Sequence, residues 1–366
     1  MMQDLLTPPQ ETKEEIQAGA AMVRQAYRLV SDLMKPVPWI YWADLTASAA
    51  LGWTALIIGT RAEAVAVSVL AFVVATLSLY RASLFIHELT HLKAGSVPGF
   101  LTGWNLAVGI PLLLPSFMYV GVHHLHHARS RYGTAEDPEY LPLAHRSPTR
   151  IVGFLFAAGL LPVLLVGRFL VLTPLSLLSG RVRRLTVVRL SSLAINPAFR
   201  RRLPTGQDLV SWRWLEAACF LWAMTLGVLV WGGALTFHAL GFAVAVASAV
   251  ALVNQVRTAA AHLFENEGGQ MTIDQQLLDS VNVPGNPLIT TLWAPVGLRF
   301  HALHHLLPGL PYHSLGAAHR RLLEQLPEDS PYRRTVSPSL FATLANLMRG
   351  RDGGEAPAVE LAARAS

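Results

Sequence analysis

The sequence predicts an all-α integral membrane protein: four transmembrane helices in two hairpins, with a cytoplasmic helical cap that holds a metal site. Three observations predict it. Hydrophobic residues make up 52% of the 366 residues and charged residues only 14%, with a mean hydropathy of +0.39, a composition that suits a polytopic membrane protein. Apolar runs of spanning length recur along the chain. Nine of the fourteen histidines fall in three clusters, HELTH at 87–91, HHLHH at 123–127 and HALHH at 301–305, each beside a long apolar segment. Imidazole is the commonest metal-binding side chain, and several converging on one point bind first-row transition metals.

Residues 1–38 read as a cytoplasmic lead-in. Their start is polar and acidic, unlike a cleavable signal peptide. A helix follows over Glu14 to Leu33, with Ile16, Val23, Tyr27 and Val30 on its apolar side. Pro36 and Pro38 stop it, and Trp39, Tyr41 and Trp42 suit a membrane interface. The membrane domain covers 39–349. Its first two spans are 43–60 and 63–86; at ~1.5 Å per residue such runs reach roughly 27–36 Å, and the short turn between them makes a hairpin. HELTH begins where the second span ends. The stretch 100–120 contains Pro111 and Pro115 and leads into HHLHH. Another, 151–178, is broken by Pro162 and carries Arg168 in its middle. The Arg-rich loop 181–203 follows, then two clean runs, 214–233 and 237–260, as a second hairpin. Arg257 and His262 sit at its end. From 263 onward the chain is cytoplasmic, with amphipathic runs at 272–281 and 315–326, and 350–366 reads as a disordered tail.

Parity sets the topology. If all three clusters serve one site, they lie on one side of the membrane. The stretches 100–120 and 151–178 must then dip in and out or lie flat, which their prolines permit; hydropathy alone would count six helices. Four spans with both termini and the site on the cytoplasmic side also satisfy the positive-inside rule, because the outer loops carry only Arg61. The net charge of +6 resides mostly between apolar runs, which fits an anionic lipid surface better than nucleic acid. Cys219, the single cysteine, lies in an apolar run, so disulfides within the chain and CxxC metal sites are excluded.

His87 and His91 stand four residues apart, so on a helix both imidazoles project from one face. Taken alone, HExxH is equally the signature of a zinc protease, with the Glu as general base. HHLHH adds His123, His126 and His127 within one helical turn. His301, His304 and His305 repeat that HxxHH spacing, which a single-zinc protease does not require.

One HxxxH box followed by two HxxHH boxes resembles the membrane fatty acid desaturase superfamily, whose members include hydroxylases and ketolases. HHLHHARSRYGTAEDPE is similar to its second box with a downstream Asp137–Pro138, and LRFHALHHLLPGLPYHSL to its third. The resemblance runs from about residue 40 to 335. It implies two iron ions held by His87, His91, His123, His126, His127, His301, His304 and His305, with His262 at the end of the fourth span as the ninth ligand, and O2 as co-substrate. Where the animal enzymes carry an Asn four residues before that histidine, Thr258 stands here, with Asn254 and Asn266 the nearest substitutes. His124, Asp137 and His313 are expected beside the ligands rather than on the metal, the Asp orienting a ring N–H. The implied substrate is a fatty acyl chain in a dry tunnel, with membrane lipid around it. An external electron donor, ferredoxin-like or cytochrome b5-like, is expected because the chain shows no haem, flavin or Cys-based iron–sulfur motif; Arg129, Arg131 and the 181–203 cluster offer it a positive surface. The leading expectation is an O2-dependent di-iron desaturase. The alternatives are a hydroxylase of the same superfamily, which the HExxHK-like HELTHLK favours, and, from another class, a membrane zinc protease.

Overall fold

Every regular element among residues 13–350, the part described by the computed structural model, is helical. The first residues of the lead-in and nearly all of the tail expected to be disordered lie outside the described residues. The expected all-α membrane fold is present. Four helices are long and apolar enough to cross a membrane: Val65–His91, Pro148–Leu178, Gly206–Trp231 and Phe237–Ala259. Three of them fall where spans were expected. The fourth, Pro148–Leu178, covers the stretch expected to dip or lie flat, while the expected span 43–60 belongs to Pro38–Arg61, a 24-residue helix whose apolar run is diluted by Asp44, Thr46, Ser48 and Thr54.

Pro38 opens that helix at its first turn, where a missing N–H leaves nothing unpaired. Extended residues at Ala62 and Ala64 end one helix and start the next, so Val65–His91 returns antiparallel along it. Two glycines permit the close approach. A Cβ on Gly52 would lie 2.7 Å from Leu79, and one on Gly59 2.3 Å from the ring of Phe242. Val65–His91 is the innermost of the four long helices: 56% of its most apolar stretch is buried inside the protein, against 11–17% for the others. Large apolar side chains such as Leu70, Leu164, Leu221 and Val228 stay exposed on these helices, as lipid-facing residues should.

The two proline-bearing stretches behave differently from simple spans. In the first, Trp104 donates to the Ala82 carbonyl at 2.8 Å, and a π-helical turn over Asn105–Gly109 follows. The chain then doubles back, and the Asn105 amide grips both the N–H and the hydroxyl of Ser116 at 2.9 Å. Residues 105 and 116 therefore meet, and the stretch turns back on itself. Pro148–Leu178 is helical but irregular, with a 3-10 turn at Ala158–Leu160 and a π turn at Gly167–Leu172. Pro162 and Pro174 cause this, since each lacks an N–H and crowds the carbonyl four residues earlier. Its first end packs through Ile151 in a cluster with Tyr132 and Phe264, the Ser248 hydroxyl donates to Gly159 at 2.8 Å, and Arg168 donates to Glu216 at 2.5 Å.

The last two long helices follow each other in sequence but pack on different neighbours. Phe237–Ala259 lies against Pro38–Arg61, Val65–His91 and the first half of Pro148–Leu178, while Gly206–Trp231 lies against its second half, 167–178. Near the histidines, Tyr41, Phe85, Phe100 and Tyr312 meet edge to face with centroids 5.0–5.6 Å apart. They brace the end of the helix that carries HELTH.

Candidate metal centre

The eight histidines of the three boxes are placed by local helical structure, and His262 by pairing with a distant segment. Val65–His91 carries its helix through HELTH, so His87 and His91 project from consecutive turns with ring centroids 5.0 Å apart. His123–His126 and His301–Leu306 are short helices, and the HxxHH spacing turns three imidazoles of each inward. His262 follows Phe237–Ala259 in a segment clamped by backbone pairing: Leu263 N–H donates to Asp279 at 2.7 Å and Val281 N–H to Ala261 at 2.9 Å. Phe264, just beyond, has φ +58°, a left-handed backbone that a bulky residue adopts only when its surroundings hold it.

These nine side chains come together in two groups. His87, His91, His123, His127 and His304 form one, and His126, His262, His301 and His305 the other; within each group the offered ligand atoms lie within 4.8 Å of one another. The Nε2 atoms converge: His123 and His127 at 2.9 Å, His127 and His304 at 3.0 Å, His262 and His301 at 2.9 Å, His301 and His305 at 3.1 Å, His126 and His262 at 3.2 Å.

The opposite ring nitrogens are held by carboxylates and hydroxyls. His126 Nδ1 lies 2.9 Å from both oxygens of Asp137, which is wholly buried. His123 Nδ1 lies 2.6 Å from Glu139 and 2.8 Å from Tyr119. His262 Nδ1 lies 2.8 Å from the Tyr132 hydroxyl, which donates to Asp279 at 2.7 Å, and Tyr140 donates to the other Asp279 oxygen at 2.8 Å. With Nδ1–H so engaged, the Nε2 lone pairs of His123, His126 and His262 face inward. Burial, followed by repulsion from neighbouring imidazoles, holds His123, His127, His304 and His305 well below the ordinary histidine range. They are therefore neutral. Burial also lowers His126, but Asp137 outweighs it and the net direction is upward. Burial pushes the Glu139 carboxyl up to about 7.

Neutral nitrogens pointing lone pairs at one another about 3 Å apart repel unless a cation stands among them. His87 has both ring nitrogens buried without a partner, and His91 its Nε2. The donor set therefore fits a pair of transition-metal ions, one for each group.

The other expected neighbours are more dispersed. Asp137 orients His126 as expected. Thr258 lines the adjoining cavity and accepts from Arg257 at 3.0 Å. Asn266 ties the Gly133 and Gly269 carbonyls together at 2.9 and 2.8 Å, shaping a loop beside Tyr140 rather than reaching an imidazole. His124 is exposed and outside both groups, because it is the one HHLHH position off the inward face. His313 accepts from the Val37 N–H at 3.1 Å and so steadies the start of Pro38–Arg61. Glu139, Tyr119, Tyr132, Tyr140 and Asp279 were not singled out from the sequence. Glu139 had a signal, two residues past Asp137 in the same stretch; Asp279 had none, being brought in only by the pairing with 261–263.

A cavity of about 390 Å³ opens beside the first group. It is lined by His87, Tyr119 and Glu139 together with Leu161, Leu164, Val250 and other apolar residues.

A helical membrane fold with nine inward-facing histidines in two groups defines a membrane-embedded metalloprotein. Comparison with known proteins makes this more specific. Residues 63–337 match the fatty acid desaturase family model, and the chain belongs to that family. It is 46% identical over 333 residues to the ceramide hydroxylase of Caulobacter vibrioides (strain NA1000 / CB15N), a match covering 90% of this chain and 93% of that protein. It is thus an oxidoreductase of the desaturase and hydroxylase superfamily.

Proposed function

We propose that this protein is an O2-dependent, membrane-bound lipid hydroxylase acting on a ceramide-type substrate, with two irons held by the nine histidines. This reverses the order expected from the sequence, which put desaturation first. The observation that carries it is the near full-length identity with a protein named as a ceramide hydroxylase. The cavity supports it, being a largely apolar slot that ends at His87.

When bound, the irons supply the O2-derived oxidant that attacks an unactivated C–H bond. The chain's own residues do the rest. Asp137, Glu139 and the Tyr132–Asp279 pair orient the imidazoles. The apolar walls between Leu161 and Val250 hold the hydrocarbon and exclude water. The overall balance is one lipid C–H, one O2, two electrons and two protons giving one alcohol and one water. Desaturation consumes the same O2 and electrons, so only the product separates the two. The electrons come from an external donor, for which Arg181, Arg184, Arg189 and Arg202 leave an exposed positive face.

Purified protein supplied with ceramide, a reduced ferredoxin system and isotopically labelled O2 should yield a product one labelled oxygen heavier. A product two hydrogens lighter, with no label, would overturn the hydroxylase assignment in favour of desaturation.

A further inference from the structure

The cavity that ends at His87 changes character along its length. On Phe237–Ala259 it is lined by Ala247, Val250 and Ala251, then by Asn254, Gln255, Arg257 and Thr258. At 1.5 Å per residue, Arg257 stands roughly 3 Å from the helix end at Ala259, three residues before His262, and Ala247 roughly 18 Å from that end. The polar end is therefore the end at the metal centre, and the apolar end leads away into the membrane region.

Arg257 is the exceptional residue there. It is 8% exposed. Its Nε donates to the Asn254 amide oxygen at 3.3 Å, its Nη2 to the Thr258 hydroxyl at 3.0 Å, and it reaches the Tyr80 hydroxyl. All of these are uncharged, and among the described residues no carboxylate pairs with it. The chain treats its other deeply buried arginine differently: Arg168 has Glu216 at 2.5 Å. Glu139 lines the same cavity and senses this charge without closing an ion pair; a guanidinium beside an apolar slot with no carboxylate in contact is costly, and such residues face a polar ligand.

We propose that Arg257 determines substrate specificity by donating to an oxygen in the polar part of the lipid, an amide carbonyl or a hydroxyl. The guanidinium fork and the surrounding Asn254, Gln255 and Thr258 suit a neutral hydrogen-bonding headgroup region. A phosphate would meet the Glu139 carboxyl on the same polar end. With that oxygen held beside His87, the carbon that is oxidised lies within a few bonds of it, and the hydrocarbon runs away between Leu161, Leu164 and Val250.

This inference rests on the ceramide-type substrate proposed above, and separate readouts keep the two apart. Binding is measured as the rise in melting temperature produced by ceramide, and by an analogue lacking the amide carbonyl and hydroxyl oxygens, whatever reaction follows. The native protein should bind ceramide about 10- to 100-fold more tightly than the analogue, the usual reach of a hydrogen bond to a charged group. Arg257→Met should bind both alike while keeping its iron content. A native protein that does not discriminate, or an Arg257→Met protein that discriminates fully, overturns the proposal; if that variant fails to fold, the comparison on the native protein still decides. Fragmentation of the product should place the new oxygen next to the polar group, and a hydroxyl in the distal half of either chain also overturns it. A product two hydrogens lighter would sink the hydroxylase assignment alone, leaving the binding comparison to judge Arg257.

Discussion

His304 and Asp137 illustrate two ways in which a single side chain can hold a metal centre. His304 is buried, and its Nε2 lies 3.0 Å from that of His127 within the five-histidine group. His304→Ala should abolish activity and lower the iron count per chain, measured by elemental analysis, with the helical content unchanged. Asp137 touches no other imidazole than His126, yet it also accepts from the Gly133 and Glu139 N–H groups at 2.8 Å. Asp137→Ala should retain some iron but weaken its binding about 10- to 100-fold, the usual effect of removing an orienting partner. Equal iron loss in both variants would show that Asp137 holds the fold of the centre rather than the orientation of one ring.

Among the elements, the second half of the irregular Pro148–Leu178 helix is anchored by one buried charged cluster. Glu216 accepts from Arg168 and Arg183, each at 2.5 Å, and is 4% exposed. Glu216→Gln leaves two guanidinium groups without their counter-charge, one of them buried. Breaking such a pair from one side costs about 3–5 kcal/mol. The variant should therefore melt several degrees lower in detergent while keeping its iron content, since no histidine of either group contacts this cluster. An unchanged melting temperature would mean that the helix is held by the Phe117, Phe169 and Trp212 packing alone.

For the molecule as a whole, the expected topology places both termini and the nine histidines of the two groups on the cytoplasmic side. The reversal of the chain between Asn105 and Ser116 and the packing of Pro148–Leu178 at both ends motivate it. Single cysteines at Ser130 and Arg184, both exposed, should be protected from an impermeant reagent added outside the cell. One at Ala234, exposed in the turn after Gly206–Trp231, should react. The native Cys219 is buried and gives little background. External labelling at Ser130 would require 100–120 to cross the membrane.

The sequence by itself determined the fold class, because mean hydropathy and run length are properties of composition and of consecutive residues. It also determined which eight histidines of the three boxes converge, since HxxxH and HxxHH are helical periods that fix one face locally; His262 was expected only from the family resemblance. It left open which helices are long and apolar enough to span: Asp44 and its polar neighbours dilute 43–60, and Pro162 and Pro174 interrupt the otherwise apolar 148–178. Only tertiary structure divided the nine into five and four, because His262 and Asp279 reach the centre through a backbone pairing seventeen residues apart, Leu263 N–H to Asp279 O at 2.7 Å being one rung. Only tertiary structure, too, left Arg257 without a carboxylate and gave Arg168 one. Pairing of charges across helices depends on which faces meet, and no local period encodes that.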